Sequence, residues 1–264
     1  MDEELRRRLE SSGYSAVGFA EDYDRYRPRP PAALLELLPP LAGVDRPRCV
    51  VDLGSGTGLS TRFWANDAGE VIGVEPNDAM RECAERATEA VNVRYAAASA
   101  YETGLEPSSC DLVTAAQSFH WMQPERVFPE IDRILRPGGV FCAYNYVAQQ
   151  TPLWEPESAW AAVRKRKREL REQLRLNERI WPVSVERLES GGVFRSVREL
   201  PLHSIEQVDG PRLVGFALSE GSMRTLLEAG VSEEEVGLDT LRAVAATMGT
   251  VPWWIGYRVW LGLK

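Results

Sequence analysis

From residue 49 to residue 147, short apolar runs alternate with amphipathic stretches. The runs at 49–53, 71–75, 93–97, 111–116 and 139–147 read as strands. The stretches at 58–68, 77–89 and 124–135 carry apolar residues at helical spacing. Such alternation predicts a parallel sheet with right-handed crossovers and helices on both faces. Ligands of such sheets bind at the carboxyl ends of the strands. Before this core, residues 2–12 and 31–41 read as helices. Between them Tyr14, Phe19, Tyr23 and Tyr26 lead into Pro28, Pro30 and Pro31, a pattern that suits a lid or packing on the domain surface. After the core, Pro152 and Pro156 interrupt the pattern, and 158–180 reads as one long helix rich in Arg and Lys, either a recogniser of an acidic substrate or a solvated helix face partly offset by Glu169, Glu172 and Glu178. Residues 196–206 read as a sixth strand, 210–219, 222–229 and 232–248 as helices, and 253–263 as a closing strand.

The run at 49–53 ends in three alternating glycines, Gly54, Gly56 and Gly58. Glycine lets a chain turn sharply and lets backbone approach a ligand. A strand feeding a helix through such a turn forms a nucleotide-binding corner. The second strand ends in Glu75, about 20 residues on, where an acid suits a ribose diol. The spacing is G-x-G-x-G rather than the dinucleotide G-x-G-x-x-G, and no Lys-Ser/Thr pair follows as a P-loop requires. Asp52 beside the turn would repel a pyrophosphate but could accept from an ammonium. A ligand with an adenosine end and a cationic amino-acid end fits, and S-adenosylmethionine has both.

Four segments carry a family resemblance. They are Val51-Asp52-Leu53-Gly54-Ser55-Gly56-Thr57-Gly58, Gly73-Val74-Glu75-Pro76-Asn77-Asp78-Ala79-Met80, the stretch Cys110 to Trp121, and Ile134-Leu135-Arg136-Pro137-Gly138-Gly139. Together they resemble the class I S-adenosylmethionine-dependent methyltransferases over most of residues 10–150. Gln117-Ser118-Phe119-His120-Trp121, with Tyr23-Asp24-Arg25-Tyr26-Arg27-Pro28 upstream, resembles the trans-aconitate methyltransferase-like small-molecule subgroup. The resemblance implies a Rossmann-like, seven-stranded, mostly parallel α/β sheet with an antiparallel last strand and a helical cap insertion. It implies one methyltransferase domain over 1–264: amino-terminal helices and lid (1–41), cofactor-binding core (42–150), cap (151–195), final strands and helices (196–264).

Each candidate residue then has an expected role. Gly54, Ser55, Gly56 and Gly58 line the methionine part of S-adenosylmethionine, with Asp52 toward its ammonium, directly or through water. Glu75 accepts from both ribose hydroxyls, with Pro76 beside it. Met80 packs on the adenine, unless it is a plain helix-core residue. Ser99 and Ala100 follow strand three, where relatives read the adenine amine. Many relatives carry an acid just after that alanine, whereas here Tyr101 intervenes before Glu102. Gln117 faces the methionine end. His120 is a candidate general base, or a histidine that orders its loop. Tyr14, Tyr23, Tyr26, Arg27, Trp121, Asn145 and Tyr146 surround the acceptor, and Arg27 is placed to clamp a carboxylate or to pair with an acid of the protein.

Composition narrows the partners. The chain of 264 residues has a net charge of −8, which argues against a nucleic-acid substrate, since phosphates need a basic face. Cys49, Cys83, Cys110 and Cys142 form no C-x-x-C pair and read as free thiols of a reducing cytoplasm. No metal-ligand spacing is present. No apolar run of about 18 residues occurs, and the charged residues 1–12 do not resemble a secretion signal. A cytoplasmic monomer or homodimer without membrane contact is expected. The acceptor is a small molecule, with oxygen (hydroxyl or carboxylate) ahead of nitrogen, sulfur and carbon. High Arg and Ala content associates the chain with GC-rich bacterial secondary metabolism. A non-catalytic S-adenosylmethionine-binding protein is the reading from another class.

Overall fold

The computed structural model describes Tyr14, residues 18–176 and residues 180–264. The helix expected over 2–12 and part of the one expected over 158–180 lie outside these residues. Seven strands form one sheet in the order β3-β2-β1-β4-β5-β7-β6. They are β1 (Cys49–Leu53), β2 (Glu70–Val74), β3 (Val93–Ala96), β4 (Cys110–Ala116), β5 (Leu135–Gln150), β6 (Ser196–Val208) and β7 (Val251–Leu263). Strands β1 to β5 pair in parallel. Strand β7 runs antiparallel between β5 and β6. The expected Rossmann-like sheet is the one observed. Every residue of β1 is buried, as a central parallel strand covered on both faces requires.

The helices are α1 (Phe19–Tyr26), α2 (Ala33–Leu41), α3 (Leu59–Phe63), α4 (Asp78–Arg86), α5 (Pro124–Ile134), α6 (Trp154–Gln173), α7 (Val185–Ser190), α8 (Gly210–Leu218), α9 (Gly221–Glu228), α10 (Glu233–Val236) and α11 (Leu238–Ala245). Alternate strand residues feed two cores. Val50, Leu112 and Cys142 pack on one face with Leu34 and Leu38 of α2. Val51, Val113 and Phe141 pack on the other with Val127, Phe128 and Ile131 of α5. Because the order steps one way from β1 to β2 and the other way to β4, a crevice opens above β1 and β4.

Strands β5, β6 and β7 outrun the rest of the sheet and carry a helical cap. It draws on two chain segments, α6 before β6 and α8 to α11 between β6 and β7. Trp160 and Val163 of α6 share a core with Phe216 of α8, Met223 of α9 and Leu241 of α11. Three basic residues of α6 are spent within this cap. Lys167 pairs with Glu220, Arg166 reaches the Glu235 carbonyl at 3.1 Å, and Arg171 reaches the Thr225 hydroxyl at 3.0 Å. The helix α7 leaves the cap, burying Leu188 in the α5-side core. The single helix expected over 232–248 is two. Gly237 adopts a left-handed φ of 86°, which ends α10 and turns the chain into α11. Among the described residues, no helix is long and apolar enough to cross a membrane.

Candidate active site

The crevice above β1 and β4 opens into a cleft of about 1230 Å3, mouth included. Its floor is the turn after β1. Gly54, Gly56 and Gly58 all have positive φ (65°, 55° and 81°), the region glycine enters without strain. The N–H groups of Gly54 and Ser55 both point to the Val74 carbonyl, at 2.8 and 3.1 Å, which locks the turn to the end of β2. A Cβ on Gly54 would stand 2.7 Å from the Ser118 Cβ, so the turn and the loop after β4 touch backbone to side chain. Gly54, Ser55 and Gly56 line the cleft. Gly58 does not. It caps α3, and a Cβ there would strike the Tyr95 hydroxyl.

Glu75 lines the cleft one step across the sheet. Its carboxylate accepts from the Gly56 and Asn77 N–H groups, each at 2.8 Å. Burial nevertheless raises its pKa to about 7, since those two hydrogen bonds only partly offset desolvation. Asp52 is the residue whose surroundings differ most from expectation. It is fully buried behind the turn and is absent from the cleft wall. Its carboxylate accepts from the hydroxyls of Thr61 (2.8 Å), Thr114 (2.8 Å) and Ser60 (3.3 Å). Burial raises it to about 6. No direct contact between Asp52 and a ligand is open.

Pro76, Met80 and Ala100 line the wall toward β3, joined by Tyr101. Ser99 does not line it; its hydroxyl accepts from the Tyr101 N–H. Gln117, at the end of β4, holds a positive φ of 52° and lines the cleft with its side-chain nitrogen buried and unpartnered. The Ser55 hydroxyl is likewise buried without a partner. Two unspent polar groups, a glycine turn open to backbone approach and a carboxylate beside it make a donor and acceptor set that fits S-adenosylmethionine.

On the other side Tyr14, Tyr23, Trp121 and Tyr146 line the cleft as expected. Tyr14 meets Trp121 edge-on at 6.2 Å. Arg27 lines it too, 7% exposed. Its guanidinium lies over the Tyr23 ring at 4.6 Å and the Phe216 ring at 5.2 Å, and donates to the Tyr146 hydroxyl and the Ser219 carbonyl. No acid among the described residues pairs with it. Arg27 and Glu75 are the only charged residues of the described wall.

Three expected acceptor-side residues are elsewhere. Tyr26 packs over Gly215 of α8, where a Cβ would sit 2.4 Å from the ring. Asn145 is opposite Arg258 of β7 and outside the wall, because alternate residues of β5 face opposite sides of the sheet. The His120 ring tilts against Trp121 behind the wall. Burial, then the Arg187 guanidinium, push its pKa down to about 4, so the imidazole is neutral at neutral pH and a poor proton acceptor. Its carbonyl accepts from the Trp181 N–H at 2.8 Å. Arg187 of α7 donates to the carbonyls of Phe119 (3.0 Å), Met122 (2.7 Å) and Trp181 (2.6 Å), pinning the loop after β4.

Ser60, Tyr144 and Tyr257 also line the cleft but carry no sequence signal, apart from Tyr144 sharing a strand face with Tyr146. The methyltransferase domain family matches residues 51–143. An uncharacterised methyltransferase of Mycobacterium tuberculosis is 38% identical over 135 residues, 51% of each chain. A Saccharomyces cerevisiae protein named as an S-adenosylmethionine-dependent methyltransferase is 32% identical over 130 residues, 47% of this chain and 44% of its own. A solved structure from Anaeromyxobacter dehalogenans, named as a type II methyltransferase, is 25% identical with a TM-score of 0.64, covering 90% of this chain and 98% of its own. Residues 51–143 thus carry a methyltransferase domain, and the fold is that of class I S-adenosylmethionine-dependent methyltransferases. The chain spans about half the length of the curated relatives it matches. The matched residues 51–143 hold the glycine turn, Glu75 and Gln117. Most of the acceptor side, including Arg27, Tyr146 and Tyr257, lies outside them.

Proposed function

We propose that this chain transfers a methyl group from S-adenosylmethionine to a carboxylate oxygen of a small acidic acceptor. The observation that carries the acceptor is Arg27, a buried guanidinium in the cleft wall with no acid of the described residues beside it. A buried charge without a counter-ion is costly. An acceptor carboxylate would offset that cost and gain charge-assisted hydrogen bonds. The proton balance supports the same reading. An alcohol or ammonium acceptor must lose a proton, and the one carboxylate of the described wall, Glu75, is committed to the Gly56 and Asn77 N–H groups and the ribose diol. His120 stands behind the wall, and burial holds the phenols of Tyr23, Tyr144 and Tyr257 above their ordinary value. A carboxylate is already anionic and needs no general base.

S-adenosylmethionine supplies a methyl on a sulfonium, whose sulfur leaves as a neutral thioether. The chain binds, aligns and excludes water. Gly54 and Gly56 admit the methionine part, Ser55 and Gln117 offer it their unspent groups, and Glu75 accepts from the ribose diol. Met80, Ala100 and Tyr101 enclose the adenine. Tyr14, Tyr23 and Trp121 close the cleft over the acceptor.

Incubation with S-adenosylmethionine and matched sets of small carboxylic acids, amides, alcohols and amines tests this. Mass spectrometry is expected to find methyl esters of the acids alone. Arg27→Met is expected to raise the acceptor KM about 100-fold while S-adenosylhomocysteine affinity stays within threefold. Methylated amines or alcohols would overturn the acceptor class. A large loss of S-adenosylhomocysteine affinity would assign Arg27 to the cofactor's own carboxylate.

A further inference from the structure

Two banks of rings flank Arg27 in the cleft wall. Tyr14, Tyr23 and Trp121 form the first, with Tyr14 meeting Tyr23 at 6.3 Å and Trp121 at 6.2 Å. Tyr144, Tyr146 and Tyr257 form the second, with Tyr257 meeting Tyr144 at 6.5 Å and Tyr146 at 6.4 Å. The guanidinium reaches both, 4.6 Å from the Tyr23 ring and 5.7 Å from the Tyr146 ring. A guanidinium carries five N–H donors. The Tyr146 hydroxyl and the Ser219 carbonyl accept from this one, and its Nε is buried with no described partner. A carboxylate held by the remaining donors has rings on either hand, and the body attached to it extends among them.

The second bank offers that body little besides rings. The Tyr257 hydroxyl is spent on the Arg29 carbonyl at 2.5 Å, the Tyr144 hydroxyl is paired with the Ser60 hydroxyl at 2.7 Å, and the Tyr146 hydroxyl holds Arg27 itself. No second cation of the described residues lines the cleft, and Arg166, Lys167 and Arg171 of α6 are turned to the cap. A second carboxylate on the acceptor would leave water and meet no counter-charge, a loss that ring contacts do not return. An aromatic body, in contrast, packs edge-on or offset against such rings and gains more than simple burial. We infer that the acceptor is an aromatic acid carrying a single carboxylate. This rests on the carboxylate reading above, and it departs from the tricarboxylate that the trans-aconitate-like resemblance implies. In the transfer a carboxylate oxygen bonds the methyl carbon as the carbon–sulfur bond breaks. Sulfur keeps the electron pair, and the negative charge of the acid cancels the positive charge of the sulfonium. The neutral ester no longer pairs with Arg27, which favours its release.

Initial-rate kinetics with S-adenosylmethionine and four acids tests it: cinnamate, para-carboxycinnamate, trans-aconitate and octanoate, with methyl esters read by mass spectrometry. Cinnamate is expected to exceed para-carboxycinnamate and trans-aconitate in kcat/KM about 100-fold or more. It should exceed octanoate about threefold to tenfold. Trp121→Leu should bring the cinnamate-to-octanoate ratio toward one, and Tyr14→Leu should do the same if that variant fails to fold. Turnover of either polyacid as fast as cinnamate, octanoate equal to cinnamate, or an unchanged ratio in the variants overturns the inference, while the esters formed uphold the carboxylate reading. Esters from none of the four acids overturns both.

Discussion

The two sides of the cleft are built in different ways. The cofactor side comes from one stretch of chain, residues 54–118, in which successive strand tips each deliver a group to the same crevice. The acceptor side is gathered from Tyr14, α1 and its end, the loop after β4, the far end of β5 and β7, which are more than 200 residues apart at the extremes. Backbone supplies much of the first side, through glycine turns and N–H groups. Aromatic side chains and one guanidinium supply the second. A site made from backbone at fixed spacing tolerates little change. A site made from side chains on separate segments can change its ligand one residue at a time.

The difference predicts where substitutions act. Glu75→Ala should have the largest effect, removing an ionised acceptor from two hydroxyls and lowering S-adenosylhomocysteine affinity about 100-fold or more by calorimetry. The same carboxylate gives a pH dependence. Its pKa of about 7 in the folded protein means the accepting form is lost as pH falls. Affinity should therefore be level above pH 8 and decline below pH 7, approaching tenfold per pH unit at its steepest. The protein groups felt by Glu75 include Arg81, which lowers its pKa, and Asp52, which raises it; Asp52 is itself raised to about 6, so its protonation below that value relieves Glu75 and the decline should become shallower there. A flat profile would remove Glu75 from the contact.

Next is Arg27→Met, which should leave cofactor binding nearly intact and cost the acceptor KM about 100-fold. Equal losses on both sides would erase the distinction between them. Gly54→Ala should act through the backbone, forcing alanine into positive φ against Ser118, and lower stability by about 1–3 kcal/mol in denaturant unfolding. The smallest effect belongs to Lys165→Ala on the basic helix α6. Lys165 is an exposed partner of Glu169 at 4.0 Å, worth under about 0.5 kcal/mol. Stability and acceptor KM should both stay put; a raised KM for acids would return the basic run to acceptor recognition.

The cofactor side was far more legible in the sequence than the acceptor side. β1, β2 and β4 are buried on both faces and read as plain apolar runs, and the glycines and Glu75 sit at spacings that only a strand-to-helix corner explains. Asp52 was visible, but its direction was not. Whether a strand-end side chain faces a cleft or hydroxyls behind it depends on Thr61 and Thr114, which no spacing links to it. Tyr144 and Tyr146 share a strand with Asn145, and only the pleat separates the wall from the outside. Tyr257 reaches the cleft because β7 folds back between β5 and β6, a pairing across more than 100 residues. His120 sat in the best-marked motif, and its ring still went behind Trp121, because packing rather than position decides how buried a histidine becomes.

Arg187 lies beyond the first cap segment, yet it fixes the loop that carries Ser118, Trp121 and Met122 into the cleft. The chain leaves the core after β5, makes α6, and returns to that one clamp through Trp181 and Arg187. The same excursion packs Trp160 and Val163 into the core that holds Val50, Leu112 and Cys142. A change of its length that displaced Arg187 would therefore be felt at the loop after β4. The first cap segment works as a tether on the cleft wall, although none of its own described residues lines that wall.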